Sequence, residues 1–325
     1  MKIFIAPLNW GLGHATRCIP VIRNYVSQGH EVVIGSDGLS LDYIKSYFPT
    51  LRVIELPNLN LSYSAGSSQV WALLKQLPHF IRWKKRDKKA IRQIQQHEHF
   101  DIIISDNRFW LYTPNTHSVY ITHQLHIRLP RGWHWLEFAA EYWHRGIIGH
   151  YDECWIPDYV EFPSMGGILS HPAVMPRNAV YIGPLSRFEQ TGTTVDTRVR
   201  RQSLDGKIVE QKAARIAILS GLEPQRSIFE QQLRKQYGDS ILIINGKPPF
   251  PPDSLLTEYM LHAEEIISRS GYSSIMDYTA LGVLDKVKMV ATPGQPEQEY
   301  LAELHSLQKK SNFADRKSAF NQYNN

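Results

Sequence analysis

Cysteine is nearly absent. Only Cys18 and Cys154 occur in 325 residues, far apart and without a partner motif around either. That excludes a disulfide framework and a thiolate zinc site, and it suits a reducing cytoplasm. Long apolar runs are missing as well. The opening residues KIFIAPLNW hold a short apolar run broken by Pro7 and Asn9, too short for the core of a signal peptide. Nothing downstream reaches the roughly 20 apolar residues that span a bilayer. There is no internal repeat and no low-complexity tract. Charge of one sign is not strongly in excess: Lys plus Arg number 36 against 31 for Asp plus Glu, a net charge of +5. This mild excess suits anionic substrates or an acidic membrane surface, and no nucleic-acid-binding motif accompanies it. What is left, 42% hydrophobic and 21% charged, is an ordinary globular composition. The chain is long enough for two domains of about 150 residues.

The N-terminal half begins as a βα unit. Lys2–Pro7 is a short β-branched and aromatic run, the loop LNWGLGH follows, and a helical pattern extends from Ala15 to Gln28. Strand, glycine loop, helix is how a doubly wound fold opens. EVVIGSD at Glu31–Asp37 reads as a second strand, entered through a turn at Gly29. Gly11 and Gly13, with Asp37 as a ribose acid, match part of a dinucleotide fingerprint, but Thr16 stands where the third glycine belongs. His14 lies beside the loop's backbone N–H groups at the mouth of the sheet. It reads either as a helix-start residue or as a catalyst.

Further strands are expected at Leu51–Leu56, Phe100–Ser105 and Ser118–Thr122. The last two deliver Asp106, Asn107 and Arg108, then His123 and Gln124, to the carboxyl edge where open α/β sheets bind ligands. Asp106 and Arg108 read equally well as a pair that only holds the loop. Ser67–His97 reads as a long helix carrying Arg82, Lys84, Lys85, Arg86, Lys88, Lys89 and Arg92. That basic face either meets solvent or, with Trp71, Phe80 and Trp83 interleaved, rests on anionic lipid headgroups. The segment PRGWHWLEFAAEYWHRGIIGHY suggests an amphipathic helix laid across a cleft or against a membrane interface, with core packing accounting for most of its aromatics. Glu153–Pro157 and Ala179–Ile182 close the sheet. GPLSRF ends the first domain at Phe188, and the polar stretch Gln190–Lys212 reads as a linker.

The second half repeats the pattern. Arg215–Leu219 is a strand, Ser220 and Gly221 open a turn, and a helix starts at Pro224 with Arg226 in its first turn, facing a phosphate or solvent. Ser240–Asn245 is the next strand and Glu258–Ala263 a short helix. The strand at Ile266 then ends in a turn at Gly271, ringed by the hydroxyls of Ser268, Ser270, Ser273 and Ser274, and a helix runs from Ser273 to Leu281. Unpaired N–H groups at such a helix start favour an anion. Asp277, two turns in, is short enough to meet a ribose diol. Val287–Ala291 leads into the loop TPGQPEQ.

Four stretches carry a resemblance: NWGLGHATR at Asn9–Arg17, SGLEPQR at Ser220–Arg226, SRSGYSSIMDYTALG at Ser268–Gly282 and TPGQPEQEYLA at Thr292–Ala302. In order and spacing the chain resembles a GT-B glycosyltransferase of the family 28 kind, similar to the peptidoglycan enzyme that adds N-acetylglucosamine to a lipid-linked acceptor. The resemblance implies two Rossmann-like doubly wound domains facing each other across a cleft. Residues 1–188 would bind a lipid-linked or glycan acceptor and residues 189–325 a UDP-sugar, with no metal and no further cofactor. It implies that Ser270, Gly271, Tyr272 and Ser273 hold the diphosphate, and that Asp277 takes the place of a ribose-binding glutamate. Ser220, Gly221 and Arg226 would sit on the phosphate side, and Gln298, with Glu297 or Glu299, where the donor sugar's hydroxyls are read. Gly11, Gly13, Asn107, Arg108 and His123 fall on the acceptor side. His14 takes the position of the general base, with Asp106 as the second candidate or as the group that orients a histidine. A cytoplasmic protein, peripheral on the inner face of a membrane, is the expected setting. The compact, proline-rich link PPFPP leaves little chain for an extra βα unit, so the second domain is expected to be shortened. The polar tail after Leu304 leaves open whether a helix returns to the first domain. Two other readings share the donor site: a UDP-sugar 2-epimerase and a non-catalytic nucleotide-sugar-binding protein.

Overall fold

The computed structural model describes residues 1–59, 77–188 and 214–310. The first sheet is built from β1 (Lys2–Pro7), β2 (Glu31–Ser36), β3 (Arg52–Glu55), β4 (Ile102–Asp106), β5 (His117–Ile121), β6 (Glu153–Ile156) and β7 (Ala179–Tyr181). All pairings are parallel, in the order β3-β2-β1-β4-β5-β6-β7. Helices α1 (Gly13–Ser27), α2 (Gly38–Tyr47), α3 (Leu77–His97) and α4 (Glu137–Ile148) make crossovers. Residues Ile3 to Pro7 of β1 are buried on both faces, as a strand covered by helices on each side requires. The strand order reverses between β1 and β4, which is where a doubly wound sheet opens a crevice. The register aligns Pro7 with Asp106 and Asp106 with Ile121, so the loops after β1, β4 and β5 leave from one edge.

The second sheet holds β8 (Arg215–Leu219), β9 (Leu242–Asn245), β10 (Glu265–Arg269) and β11 (Val287–Val290) in the parallel order β11-β10-β8-β9. Its helices are α5 (Gln225–Tyr237), α6 (Asp253–His262), α7 (Tyr272–Ala280) and α8 (Pro296–Lys310). The reversal here lies between β8 and β10, so the loops at Ser220 and Gly271 flank the crevice.

One hydrophobic cluster joins the two halves. Ile3, Ile19, Ile22, Leu169 and Leu185 pack in it with Tyr272, Ile275 and Met276 of α7 and with Tyr300, Leu301 and Leu304 of α8. The tail beyond Leu304 continues α8 to Lys310, and this helix does return to the first half. Tyr300 accepts a hydrogen bond from the Ile168 N–H at 3.0 Å, and His305 Nε2 donates to the Met165 carbonyl at 3.0 Å.

Several expectations need correcting. Helix α2 goes unnoticed in the sequence, although Leu41 and Ile44 mark its buried side. The helix expected at Glu258–Ala263 begins earlier, at Asp253, directly after Pro252. The aromatics around α4 are largely not core: Trp133, Trp135, Phe138, Tyr142 and Trp143 are exposed, Phe138 by 71% and Tyr142 by 76%. The helix spends its buried face on Glu137, His144, Ile147 and Ile148 instead, leaving the aromatic side outward. Residues 67–76 of the long basic helix and the linker Gln190–Lys212 lie outside the described residues. Among the described residues no helix is long and apolar enough to cross a membrane.

Candidate active site

The loops after β1 and β8 meet the start of α7 across the crevice. Gly11 and Gly221 both adopt positive φ, +75° and +95°, and a Cβ on Gly11 would stand 3.9 Å from the Gly221 Cα. Gly13 is tighter. A Cβ there would come within 3.0 Å of Ser273 Oγ, which donates a 2.8 Å hydrogen bond to the Gly13 carbonyl. Glycine at these positions therefore allows the two domains' loops to touch.

His14 is the second residue of α1, at the edge of this contact. Its Nδ1 lies 2.7 Å from Asp106 Oδ1, at the end of β4. Asp106 is fully buried, and burial alone would raise its pKa. The Arg17 guanidinium and His14 override that and hold it at about 2, so it is a carboxylate. His14 Nδ1 also lies 3.0 Å from Arg17 Nη2, so one ring nitrogen faces both a donor and an acceptor; in the tautomer that gives its Nδ1–H to the nearer Asp106 carboxylate, Nε2 keeps the lone pair. Arg17 was not singled out in the sequence, although the i, i+3 spacing on α1 sets it on the same face as His14. It is 1% exposed and grips Asp106 with two nitrogens, Nε at 2.5 Å and Nη2 on the other oxygen. Its Nη1 lies 3.0 Å from His123 Nδ1.

His123 joins the two domains. A guanidinium only donates, so His123 Nδ1 accepts, and its Nε2–H points at Glu297 Oε1 of α8 at 2.7 Å. Burial lowers the His123 pKa despite Glu297, consistent with a neutral ring. The ring stacks flat on Tyr272, centroids 3.9 Å apart and 6° from parallel. Gln124 Nε2 donates to the other oxygen of Glu297, so this carboxylate faces the first domain.

On the second domain, Gly271 is the N-cap of α7 and has extended backbone. Ser270 Oγ donates to the Gln298 carbonyl at 2.7 Å, tying this turn to the start of α8. The Gln298 side chain accepts from the Thr292 N–H at 2.9 Å, and Glu299 from the Gly294 N–H at 3.2 Å, so both brace the TPGQ loop. Arg226 lies in the first turn of α5, bound to Glu223 Oε1 at 2.5 Å, and this contact holds the Glu223 carboxyl at about 2. Asp277 accepts from Ser186 Oγ at 2.7 Å and stands 3.3 Å from Arg187 Nε, both at the end of the first domain. Burial nevertheless raises its pKa to about 6.

Three residues at the first domain's edge sort differently from their neighbours. Arg108 turns away from Asp106 and the crevice: it is fully buried, 2.8 Å from Asp87 and 3.2 Å from Asp37, because those two carboxylates lie beneath the loop. Asp37 is correspondingly committed to Arg108 and to Asn9 and is not free for a ribose. Asn107 remains at the edge, with φ +55°, and its Oδ1 lies 3.0 Å from the Tyr120 hydroxyl.

Two all-parallel Rossmann-like domains, with their switch-point crevices opposed, define the GT-B fold. No protein-family model and no curated protein matches the chain. Solved structures of that fold do. A glycosyltransferase of kitacinnamycin superposes with a TM-score of 0.56 at 13% identity, covering 99% of this chain and 90% of its own. The calicheamicin glycosyltransferase CalG4 gives 0.55 at 12%, over 93% and 83%. The spinosyn rhamnosyltransferase SpnG gives 0.55 at 12%, over 96% and 90%, and is also solved with thymidine diphosphate. At these identities the likeness concerns the fold.

Proposed function

We propose that the protein is a glycosyltransferase that moves a sugar from a nucleotide-sugar donor to an acceptor hydroxyl, with inversion and without a metal. The observation that carries this reading is the His14–Asp106 pair at the crevice, with the N-terminus of α7 opposite. Residues 1–188 hold the acceptor and residues 189–325 the donor, a UDP-sugar by the sequence resemblance. The thymidine diphosphate seen in the spinosyn enzyme supports a nucleoside diphosphate as the leaving group.

Chemistry follows from charge. His14 Nε2 takes the proton of the acceptor hydroxyl, while Asp106 fixes the ring and steadies the imidazolium that forms. The oxygen attacks the anomeric carbon, and the bond to the β-phosphate oxygen breaks. Negative charge grows on that phosphate, where the N–H groups of Tyr272 and Ser273 beyond Gly271 stabilise it with the helix dipole. Ser220, Gly221 and Arg226 close the phosphate side, with Arg226 shared between Glu223 and the phosphate. Ribose binding by Asp277 replaces its contact with Ser186, and reading of the sugar falls to Gln298 with Glu299, since both oxygens of Glu297 are held by His123 and Gln124. Gly11, Gly13 and Asn107 border the acceptor.

The acceptor is lipid-linked or a glycan, and the exposed face formed by Trp135, just before α4, with Phe138 and Tyr142 of α4 meets an anionic membrane. The basic residues of α3, with Arg82, Lys85, Arg86, Lys89 and Arg92 exposed, lie beside it across the Phe109–Tyr112 loop. Triple replacement of Trp135, Phe138 and Tyr142 by Ser should abolish co-sedimentation with phosphatidylglycerol vesicles; undiminished binding removes the membrane face.

A panel of nucleotide sugars, screened first for thermal stabilisation and then for release of nucleotide with acceptor present, tests the central reading. Transfer is expected with at least one UDP-sugar, and His14→Ala should lower turnover by about 10²- to 10⁴-fold with donor affinity little changed. Conversion of UDP-N-acetylglucosamine alone to its 2-epimer would mark an epimerase instead, and tight binding without release a binding protein.

A further inference from the structure

We infer that Arg17, His123 and Glu297 form a positioning relay that ties the seating of the second domain to the orientation of the His14–Asp106 pair, with His123 at its centre. The inference rests on the reading of His14 as the base, and it assigns His123 a different task from acceptor contact. No polar atom of the His123 ring is left for an acceptor: Nδ1 takes Arg17, Nε2–H is given to Glu297, and one face is covered by Tyr272.

Arg17 leaves little freedom in this chain of contacts. Its Nε and Nη2 hold both oxygens of Asp106 and its Nη1 holds His123, so the planar guanidinium cannot turn without disturbing both ends. Glu297 sits in the first turn of α8, and Tyr272 is the first residue of α7. Two elements of the second domain thus bear on a single ring of the first. Movement of either helix start shifts His123, then Arg17, then the carboxylate that aims the base.

Charge runs along the same path. Asp106 and Glu297 each balance part of Arg17's charge, directly in one case and through a neutral imidazole in the other. Cys18 Sγ, 3.5 Å from Asp106 Oδ2, also donates to that carboxylate. Removing the charge of Glu297 leaves Arg17 less compensated beside His14, which makes the base harder to protonate. Because the base must be unprotonated to work, the acidic limb of the rate profile then moves to lower pH.

Two variants separate this relay from a packing role. His123→Phe keeps the stack on Tyr272 and loses both hydrogen bonds; Glu297→Gln keeps an acceptor for His123 Nε2 and loses the charge. His123→Phe should lower kcat by about tenfold with the KM values for donor and acceptor within about threefold. Glu297→Gln should displace the acidic limb of kcat/KM to lower pH, by about half a unit. A wild-type kcat and profile in both variants overturns the relay. A raised acceptor KM at unchanged kcat in His123→Phe also overturns it and makes His123 a substrate contact. If wild-type protein transfers no sugar at all, the functional reading fails, and the relay is judged instead by the imidazole nitrogen signals of ¹⁵N-histidine-labelled protein. The His14 ring signals should shift in Glu297→Gln, and identical His14 signals in wild type and Glu297→Gln refute the coupling. If His123→Phe does not fold, Glu297→Gln with its profile and spectra decides.

Discussion

The two halves of the molecule hold their charges in different ways. In the first, Asp106, Arg17 and His14 satisfy one another within a few residues of the β1 and β4 edge, and the group is almost wholly buried. In the second, the carboxylates of Asp277 and Glu297 find their partners outside their own domain, on Ser186 and Arg187 and on His123 and Gln124. The first site closes its charges within its own domain and meets the second only through Arg17 and His123; the second is completed by its neighbour directly. A base held by a buried carboxylate keeps its aim while the second domain is seated, and a site that exchanges substrates benefits from partners that can part.

The contrast breaks most visibly at Asp106. Asp106→Asn leaves Arg17 buried without its carboxylate, and a loss of about 3–5 kcal/mol is expected in urea unfolding, with turnover down by 10²-fold or more. The same carboxyl sets a pH signature. Its pKa falls from 3.8 to about 2 on folding, so its contribution is present above pH 4 and disappears as pH drops towards 2. About 2 kcal/mol of acid sensitivity in that window should be absent from Asp106→Asn. Asp277 carries the opposite sign. Its value rises from 3.8 to about 6, so ionisation costs the folded state more than the unfolded one, and stability declines as pH climbs between those values. Asp277→Asn should remove that decline, on the order of 3 kcal/mol, when stability is measured from pH 4 to 7. A decline that persists in the variant would assign it elsewhere. The smallest effect belongs to Ser273→Ala, which deletes the hydrogen bond to Gly13 and should cost about 1 kcal/mol in urea unfolding.

Local order was readable in the sequence because it is written in local chemistry. Short β-branched runs, glycine loops and helix starts set the alternation of strand and helix, and polar residues after FDIIIS and VYIT marked the edge where Asp106 and His123 lie. Pairing across the fold was not readable. Nothing near Asp277 points to Arg187, 90 positions away, and nothing near Asp106 says that Arg17, rather than Arg108, is its counter-ion. Both arginines suit either acid; the sheet register decides, because it aligns Asp106 with Pro7 and turns Arg108 towards Asp37 and Asp87. The aromatic segment around α4 misled for a related reason. Its composition fits a core as well as a surface, and only the buried face of His144, Ile147 and Ile148 shows which side remained outside.

Helix α8 has a consequence for the chain as a whole. Its Tyr300, Leu301 and Leu304 sit in the same cluster as Ile3 and Ile19, so neither sheet owns a closed core of its own on that side. Two sheets that look separable on a topology diagram are therefore one thermodynamic body. Heated in a calorimeter, the protein should melt in a single peak whose van't Hoff and calorimetric enthalpies agree, where independent halves would give two.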